Sequence, residues 1–267
     1  MNLLRVVVNR HNADLVLLQE VWHPKEEIFI GKNYRLVASN LREDREGGGV
    51  VILAHSRVKA VEKKEYENND LEATWAEVMV NGIRGVVGSV YIPPTLIEKY
   101  TILDNVIESI ISKHERIIIG MDANARNALW DKSTPWSYSR NSKAMGQKLE
   151  EMIIHHGLTV HNTGAHTYHK DASSAALDVT MSLGFESKRV EWRVADDDIH
   201  SDHSLIAMQV GAPLPDVKRK MVDWEVFPWN DYCKRSKERL GELLIVWQED
   251  AELSTDDMCR QLVAAIE

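Results

Sequence analysis

Asp14-Leu15-Val16-Leu17-Leu18-Gln19-Glu20 is a continuous apolar run closed abruptly by a carboxamide and a carboxylate. A run of this kind predicts a strand covered on both faces, with its polar end projecting beyond the sheet. Upstream, Leu3 to His11 predicts a helix with Leu4, Val7 and Val8 on one face, broken by Asn12-Ala13-Asp14. Downstream, short strands are expected over Tyr34 to Ser39, Gly49 to Ala54, Thr74 to Val80 and Ile83 to Tyr91. Pro93-Pro94 ends the last of these, and Thr95 is the expected cap of a helix carrying Ile102, Leu103, Val106, Ile107 and Ile110.

A second run, Arg116-Ile117-Ile118-Ile119-Gly120, ends in Met121-Asp122. A helix is expected from Ser142 to His156, with Leu149, Met152 and Ile153 inward and Gly157 as its stop. Strands near Leu177 to Ser182, Val190 to Val194 and Ser204 to Val210 complete the pattern. Many strands with few helices predict an α/β fold of two packed sheets flanked by helices. After Gly211 the character changes. Ala212-Pro213-Leu214-Pro215 and Lys218-Arg219-Lys220 read as a linker, and Ser236 to Gln248 as an amphipathic helix. The expected domains are therefore 1–211 and 212–267.

The chain has 267 residues, 44% hydrophobic and 27% charged, enough for one substantial core. Cys233 and Cys259 are too few and too distant from the motifs for a disulfide framework or a cysteine zinc site. No apolar run reaches the roughly 20 residues that cross a bilayer, and Met1 to Asn12 lacks a signal-peptide core. The expectation is an intracellular protein, nuclear or cytoplasmic, with no membrane partner. A net charge of −9 argues against coating nucleic acid through bulk electrostatics, but allows a local basic rim. Arg126, Arg140 and Lys143 are the expected DNA contacts, with Arg42 and Arg45 as further candidates.

Four polar clusters stand where apolar strands end: Gln19-Glu20, Asp122-Ala123-Asn124, Leu177-Asp178 and Ser201-Asp202-His203. Strand ends deliver side chains into one crevice. Magnesium takes oxygen ligands and needs only one or two protein carboxylates beside a phosphate, which Glu20 and one aspartate supply. His203, next to Asp202 and within reach of another carboxylate, is the candidate for acid/base work. By contrast, His155, His156, His161, His166 and His169 have no metal-ligand spacing and are expected at the surface or in loops.

In order, Leu17-Leu18-Gln19-Glu20-Val21-Trp22, Gly47-Gly48-Gly49-Val50-Val51-Ile52, Val90-Tyr91-Ile92-Pro93-Pro94, Gly120-Met121-Asp122-Ala123-Asn124-Ala125, Leu177-Asp178-Val179-Thr180 and Ser201-Asp202-His203-Ser204 resemble the motifs of the DNase I-like endonuclease/exonuclease/phosphatase superfamily. The nearest likeness is to the apurinic/apyrimidinic-endonuclease-like domains of non-LTR retrotransposons, and it covers residues 3–210. The resemblance implies a four-layer α/β sandwich of two mainly antiparallel sheets and a phosphodiesterase using Mg2+ or Mn2+. It implies that Glu20 and Asp202 serve the metal, that Asp122 and Asn124 position water and phosphate, that Tyr91 contacts the phosphate or assists the leaving group, and that Asp178 orients His203 at the phosphate. The implied product is nicked DNA with a 3′-hydroxyl that primes reverse transcription. Asn127-Ala128-Leu129-Trp130-Asp131 resembles the tryptophan-bearing loop of those elements, and Val222-Asp223-Trp224 to Phe227 the segment leading to their reverse transcriptase.

One departure bears on activity. The superfamily places a strand with a metal-contacting asparagine before the first helix, and Met1 to Asp14 offers no match, so the expected reading is an N-terminally truncated domain with its first strand missing. Two alternatives follow: a phosphatase or phospholipase on the same fold, and a catalytically silent remnant.

Overall fold

The computed structural model describes residues 2–22, 28, 31–42, 48–80, 82–133, 139–171, 173–185, 188–197, 199–213, 234, 237, 238, 240 and 241. The chain divides into two compact units, Met1–Leu214 and Pro215–Glu267. In the second unit Lys234, Lys237, Glu238, Leu240 and Gly241 are helical. The rest of the helix expected over Ser236 to Gln248, and the segment Val222 to Phe227, lie outside the described residues. No helix among the described residues is long and apolar enough to cross a membrane.

The first unit is layered. Its central sheet has six strands in the order β4 (Lys59–Glu62), β5 (Glu72–Val80), β6 (Ile83–Tyr91), β7 (Ile117–Asp122), β11 (Asp178–Leu183) and β8 (Thr159–Val160). β6 and β7 run parallel, joined through helix α2 (Lys99–Ile111), and the other pairs are antiparallel. Parallel neighbours need such a crossover, whereas antiparallel strands need only a turn. A second sheet has the order β1 (Leu15–Gln19), β3 (Val50–His55), β2 (Tyr34–Asn40). β12 (Lys188–Val194) pairs with β13 (Ile206–Pro213), and β9 (Tyr168–Lys170) with β10 (Ser173–Ala175).

Three apolar clusters separate the layers. Val8 of α1 (Asn2–His11) packs with Val16, Val51 and Leu53 on the outer face of the second sheet. Ala38, Ile52 and Ala54 meet Ala76, Val78 and Val87 between the sheets. On the far face of the central sheet, Ile117, Ile119 and Met121 pack with Leu103, Ile107 and Ile110 of α2 and Leu149 and Met152 of α3 (Arg140–His156). The architecture is thus the expected helix, sheet, sheet, helix sandwich. β3 is sandwiched between two layers, and its residues Val50 to Ala54 are all buried, which is why it is apolar throughout instead of alternating.

The largest unexpected elements are short. β4, β8, β9 and β10 span two to four residues, too few for a period to register. Thr95 does not cap α2. Two turns, closed by Leu96 N to Pro93 O at 3.1 Å and Lys99 N to Leu96 O at 3.1 Å, intervene, and the helix starts after Glu98 with no side-chain cap. At α3 the cap is Ser139, whose Oγ accepts from Ser142 N at 3.1 Å, and Gly157 closes the helix at φ 64°. Ser139→Ala is expected to lower stability by about 1 kcal/mol in urea denaturation.

Within the central sheet, the β5–β6 pair relies on a small residue opposite Trp75. A methyl group on Gly88 would lie 2.2 Å from the Trp75 ring, which is itself fully buried. Gly88→Ala therefore forces the indole out of place. A loss of about 1–3 kcal/mol is expected by the same measurement, and an unchanged denaturation midpoint would mean that Trp75 has room to move.

Candidate active site

Register assembles the site. The parallel β6–β7 ladder sets Tyr91 opposite Asp122, and the antiparallel β7–β11 ladder sets Asp122 opposite Asp178. Three polar side chains thus stand side by side at one end of the central sheet, from strands distant in sequence. The second sheet is keyed to the same end by Gln19. Its Nε2 donates to Ser89 Oγ at 2.9 Å and to Gly120 O at 3.2 Å, while Ser89 Oγ donates to Leu18 O at 2.9 Å. Glu20 follows at φ 50°, exposed, and its carboxylate hydrogen-bonds the Tyr91 hydroxyl. Burial, then Glu20, push the Tyr91 hydroxyl up from its ordinary range, so it stays protonated.

His203 arrives from the loop between β12 and β13. Its Nδ1 lies 2.9 and 3.1 Å from the two Asp178 oxygens, and its Nε2 lies 3.9 Å from Asp122 Oδ2. The loop is clamped by β9 and the residue before it: Ser204 N donates to Thr167 O at 2.7 Å, and His169 N to Asp202 O at 2.7 Å. Thr167 Oγ1 in turn accepts from Asp178 N at 3.1 Å, and the Tyr168 ring stands edge-on to His203 with centroids 5.0 Å apart. Thr167 and Tyr168 carry no motif. They belong to a stretch expected as loop, and what makes them part of the site is pairing with residues more than 30 positions away.

Asp122 and Asp178 are buried, at 3% and 8% exposure. Burial, with the neighbouring Asp178 charge adding to it, raises the Asp122 carboxyl well above the usual carboxylate range. On His203 burial pulls the imidazole down, but its hydrogen bond to Asp178 and the charges of Asp178, Asp122 and Asp202 outweigh it and push it up to about 9. With both carboxylates ionised against one imidazolium, the cluster would carry an excess of buried negative charge, which a cation would offset. Ligand atoms of Asp122, Asp178 and His203 all lie within 4.8 Å of one another, so the cluster is able to hold a metal ion, and its oxygens suit a hard one.

The sign of the His203 shift gives a pH dependence. The pair with Asp178 stabilises the fold fully below the unfolded imidazole value of about 6.5, and that contribution is lost as pH rises through about 9. The difference in thermal midpoint between the parent chain and His203→Gln is expected to shrink from pH 6.5 to pH 10. A constant difference over that range would sink the assignment of charge to this pair.

The other expected site residues separate. Asn124, at φ 47°, donates its backbone N–H to Asp122 Oδ1 at 3.1 Å and its side-chain amide to Ile92 O at 3.1 Å, so it holds the Asp122 turn. Asp202 is exposed and lies outside the compact trio, though its charge acts on His203. Arg140 and Lys143 are exposed in the first turn of α3. Arg126 does not face outward: its Nε pairs with the fully buried Asp131 carboxylate at 2.7 Å, because Asp131 requires a partner once out of water. Arg42 is paired with Glu72, and Arg45 lies outside the described residues. Trp130 is buried in the main core. His161 lies in the expected kind of place, a loop after β8, where it meets Ser182 at 2.7 Å, whereas His156 ends α3 and is held against Asp104 at 2.8 Å.

Residues 85–207 match a family described as endonuclease-reverse transcriptase. No curated protein matches the chain. Among solved structures, the endonuclease domain of TRAS1, a telomere-specific non-LTR retrotransposon, is similar at 19% identity and a TM-score of 0.64, covering 78% of this chain and 90% of that one. The AP endonuclease LMAP from Leishmania major matches at 12% identity and a TM-score of 0.62, over 79% and 82% of the two chains. The 3′ phosphatase NExo from Neisseria, solved bound to a product DNA hairpin, matches at 14% and 0.60, over 78% and 93%.

Proposed function

We propose that the chain is a member of the DNase I-like endonuclease/exonuclease/phosphatase superfamily and a metal-dependent DNA endonuclease, a reading supported by the family match over residues 85–207 and by the fold. The observation that carries this reading is the Asp178–His203 pair at 2.9 Å, set beside Asp122 at the ends of adjacent strands. In this mechanism Asp178 accepts from His203 Nδ1 and so fixes the ring with Nε2 toward the reacting phosphate. Protonated His203 donates to a non-bridging phosphate oxygen and stabilises charge that grows during attack. Asp122, held in place by the Asn124 backbone, orients a water and accepts its proton, a role suited to a carboxyl whose affinity for protons is raised. The new bond joins water oxygen to phosphorus. The bond from phosphorus to O3′ breaks, and the departing O3′ takes its proton from the Tyr91 hydroxyl or from solvent.

Glu20 and Asp202 would hold the cation, Mg2+ or Mn2+. When bound, that ion neutralises phosphate charge and lowers the barrier to in-line attack. Arg140 and Lys143 are the proposed contacts to the DNA backbone, whereas Arg126 acts on the loop that carries Asn124. The match to an endonuclease-reverse transcriptase family and the likeness to a retrotransposon domain support a polyprotein context. There, residues 1–211 form the nuclease, residues 212–267 lead toward a reverse transcriptase, and the 3′-hydroxyl at the nick is the primer.

Supercoiled plasmid incubated with the full chain and magnesium tests this. Relaxed circles whose nick a polymerase extends, and their loss in Asp202→Ala, are the expected result. Release of a phosphoinositide or sphingomyelin headgroup without nicking would move the chain to the phospholipase reading. Cooperative unfolding with no cleavage of any phosphodiester would identify a silent domain.

A further inference from the structure

The row of polar side chains at the end of the central sheet does not stop at Tyr91. On its other side Tyr91 pairs with Glu72, the first residue of β5, so Glu72, Tyr91, Asp122 and Asp178 stand abreast on four neighbouring strands. Glu72 belongs to none of the motifs. Its carboxylate is partly buried and engaged at both oxygens: Oε1 accepts from Arg42 Nε at 3.0 Å and from Arg42 Nη2, and Oε2 accepts from Gly49 N at 3.0 Å. Arg42 stands close enough to the site for the Glu20 charge to act on its guanidinium.

The Gly49 bond reaches Glu20 across the two sheets. Gly49 O accepts from Val21 N at 3.1 Å, and Val21 directly follows Glu20. On the other side of Glu20, Gln19 pairs with Val50. Glu20 is thus pinned from both flanks by two consecutive residues, and Glu72 holds the first of them. The pinning has a purpose, because Glu20 sits at φ 50°, a left-handed conformation that a glutamate keeps only where its surroundings enforce it. The fit is close. Gly48, at φ 72°, would place a methyl group 2.5 Å from Glu72 Oε2 and from Arg42 Nε and Cζ, and Gly49, at φ 87°, would place one 3.3 Å from Val21 O. Glycines at these two positions let the carboxylate, the guanidinium and the loop meet.

We propose that Glu72 is a positioning residue for the active site: by holding Gly49 it fixes the backbone at Glu20, and so aims the Glu20 carboxylate at Tyr91 and the cation. The inference rests on the assignment of Glu20 to the cation in the proposed function. Arg42 fixes the plane of the Glu72 carboxylate through one oxygen, which leaves the other directed at Gly49. Removing a group that orients a metal-binding side chain costs roughly 10–100-fold in metal affinity.

The test uses the full chain without DNA. Mn2+ binding is read from the electron paramagnetic resonance signal of the free ion, and amide hydrogen exchange is read residue by residue. Glu72→Ala is expected to weaken Mn2+ binding about tenfold or more. Exchange at Gly49 and Val21 is expected to speed up at least about tenfold, while Val51 and Leu53 within β3 stay protected. Two further variants separate the brace from its charge. Glu72→Ala combined with Arg42→Ala removes one charge of each sign, and Gly48→Ala forces the pair apart while keeping both charges. Both are expected to bind Mn2+ as weakly as Glu72→Ala. Gly48→Ala deletes no hydrogen-bonding group and decides the matter should Glu72→Ala not fold, as judged by far-UV circular dichroism. Parent-like Mn2+ affinity in the double variant would reduce the effect to charge and overturn the proposal, and so would unchanged exchange at Val21 in Glu72→Ala. A parent chain that binds no Mn2+, yet loses protection at Val21 in Glu72→Ala, would uphold the brace on the Glu20 backbone and refute instead the assignment of Glu20 to the cation.

Discussion

His203→Ala is expected to lower the rate of magnesium-dependent plasmid nicking by about 10²–10⁴-fold while the chain remains folded. His203 is the one group in the trio that carries positive charge, and its Nδ1 is committed to Asp178 at 2.9 Å. Removing it takes away the donor to the phosphate and leaves Asp122 and Asp178 facing each other without the imidazolium between them. The companion variant Asp178→Asn separates the two effects. It keeps the shape of the pair but cannot hold the imidazole charged, so its loss of rate is expected to be greatest at the alkaline end of the pH profile, where His203 then deprotonates early. Single-turnover nicking with the parent and both variants checks this. Nicking by His203→Ala within about threefold of the parent would remove His203 from the chemistry.

The largest expected change in stability is at Trp130. Its side chain is fully buried in the main core, and its Nε1 donates to Ala125 O at 3.1 Å. Trp130→Ala is expected to cost about 3–5 kcal/mol through the cavity it leaves, and more where the Ala125 carbonyl loses its donor. That is a large share of the roughly 5–15 kcal/mol that holds a domain of this kind together. The residue also closes the segment that runs from Asp122 through Asn124 to the Arg126–Asp131 ion pair. Urea denaturation of parent and variant measures the effect; a difference under about 1 kcal/mol would mean that the indole is not tightly packed. The tryptophan of the loop that resembles the retrotransposon domains thus acts through packing.

The runs Leu15 to Leu18 and Ile117 to Ile119 were readable because a strand covered on both faces must be apolar at every position, a local property needing no knowledge of neighbours. Their polar ends were readable for the same reason: Glu20, Asp122 and Asp178 stand where the apolar requirement stops. The helix α3 was legible in its apolar face and its terminal glycine, while its cap at Ser139 was not, since several serines there compete for the role.

What a strand is made of is written along the chain; what lies beside it is not. Composition and order alone determined the sandwich class and the strand ends from which the trio is built. Only the tertiary structure decided that Thr167 and Tyr168 brace His203, that Arg126 turns inward to Asp131, and that β7 sets Asp122 between Tyr91 and Asp178. Each of those outcomes depends on register and strand order, long-range quantities that no window of neighbouring residues encodes.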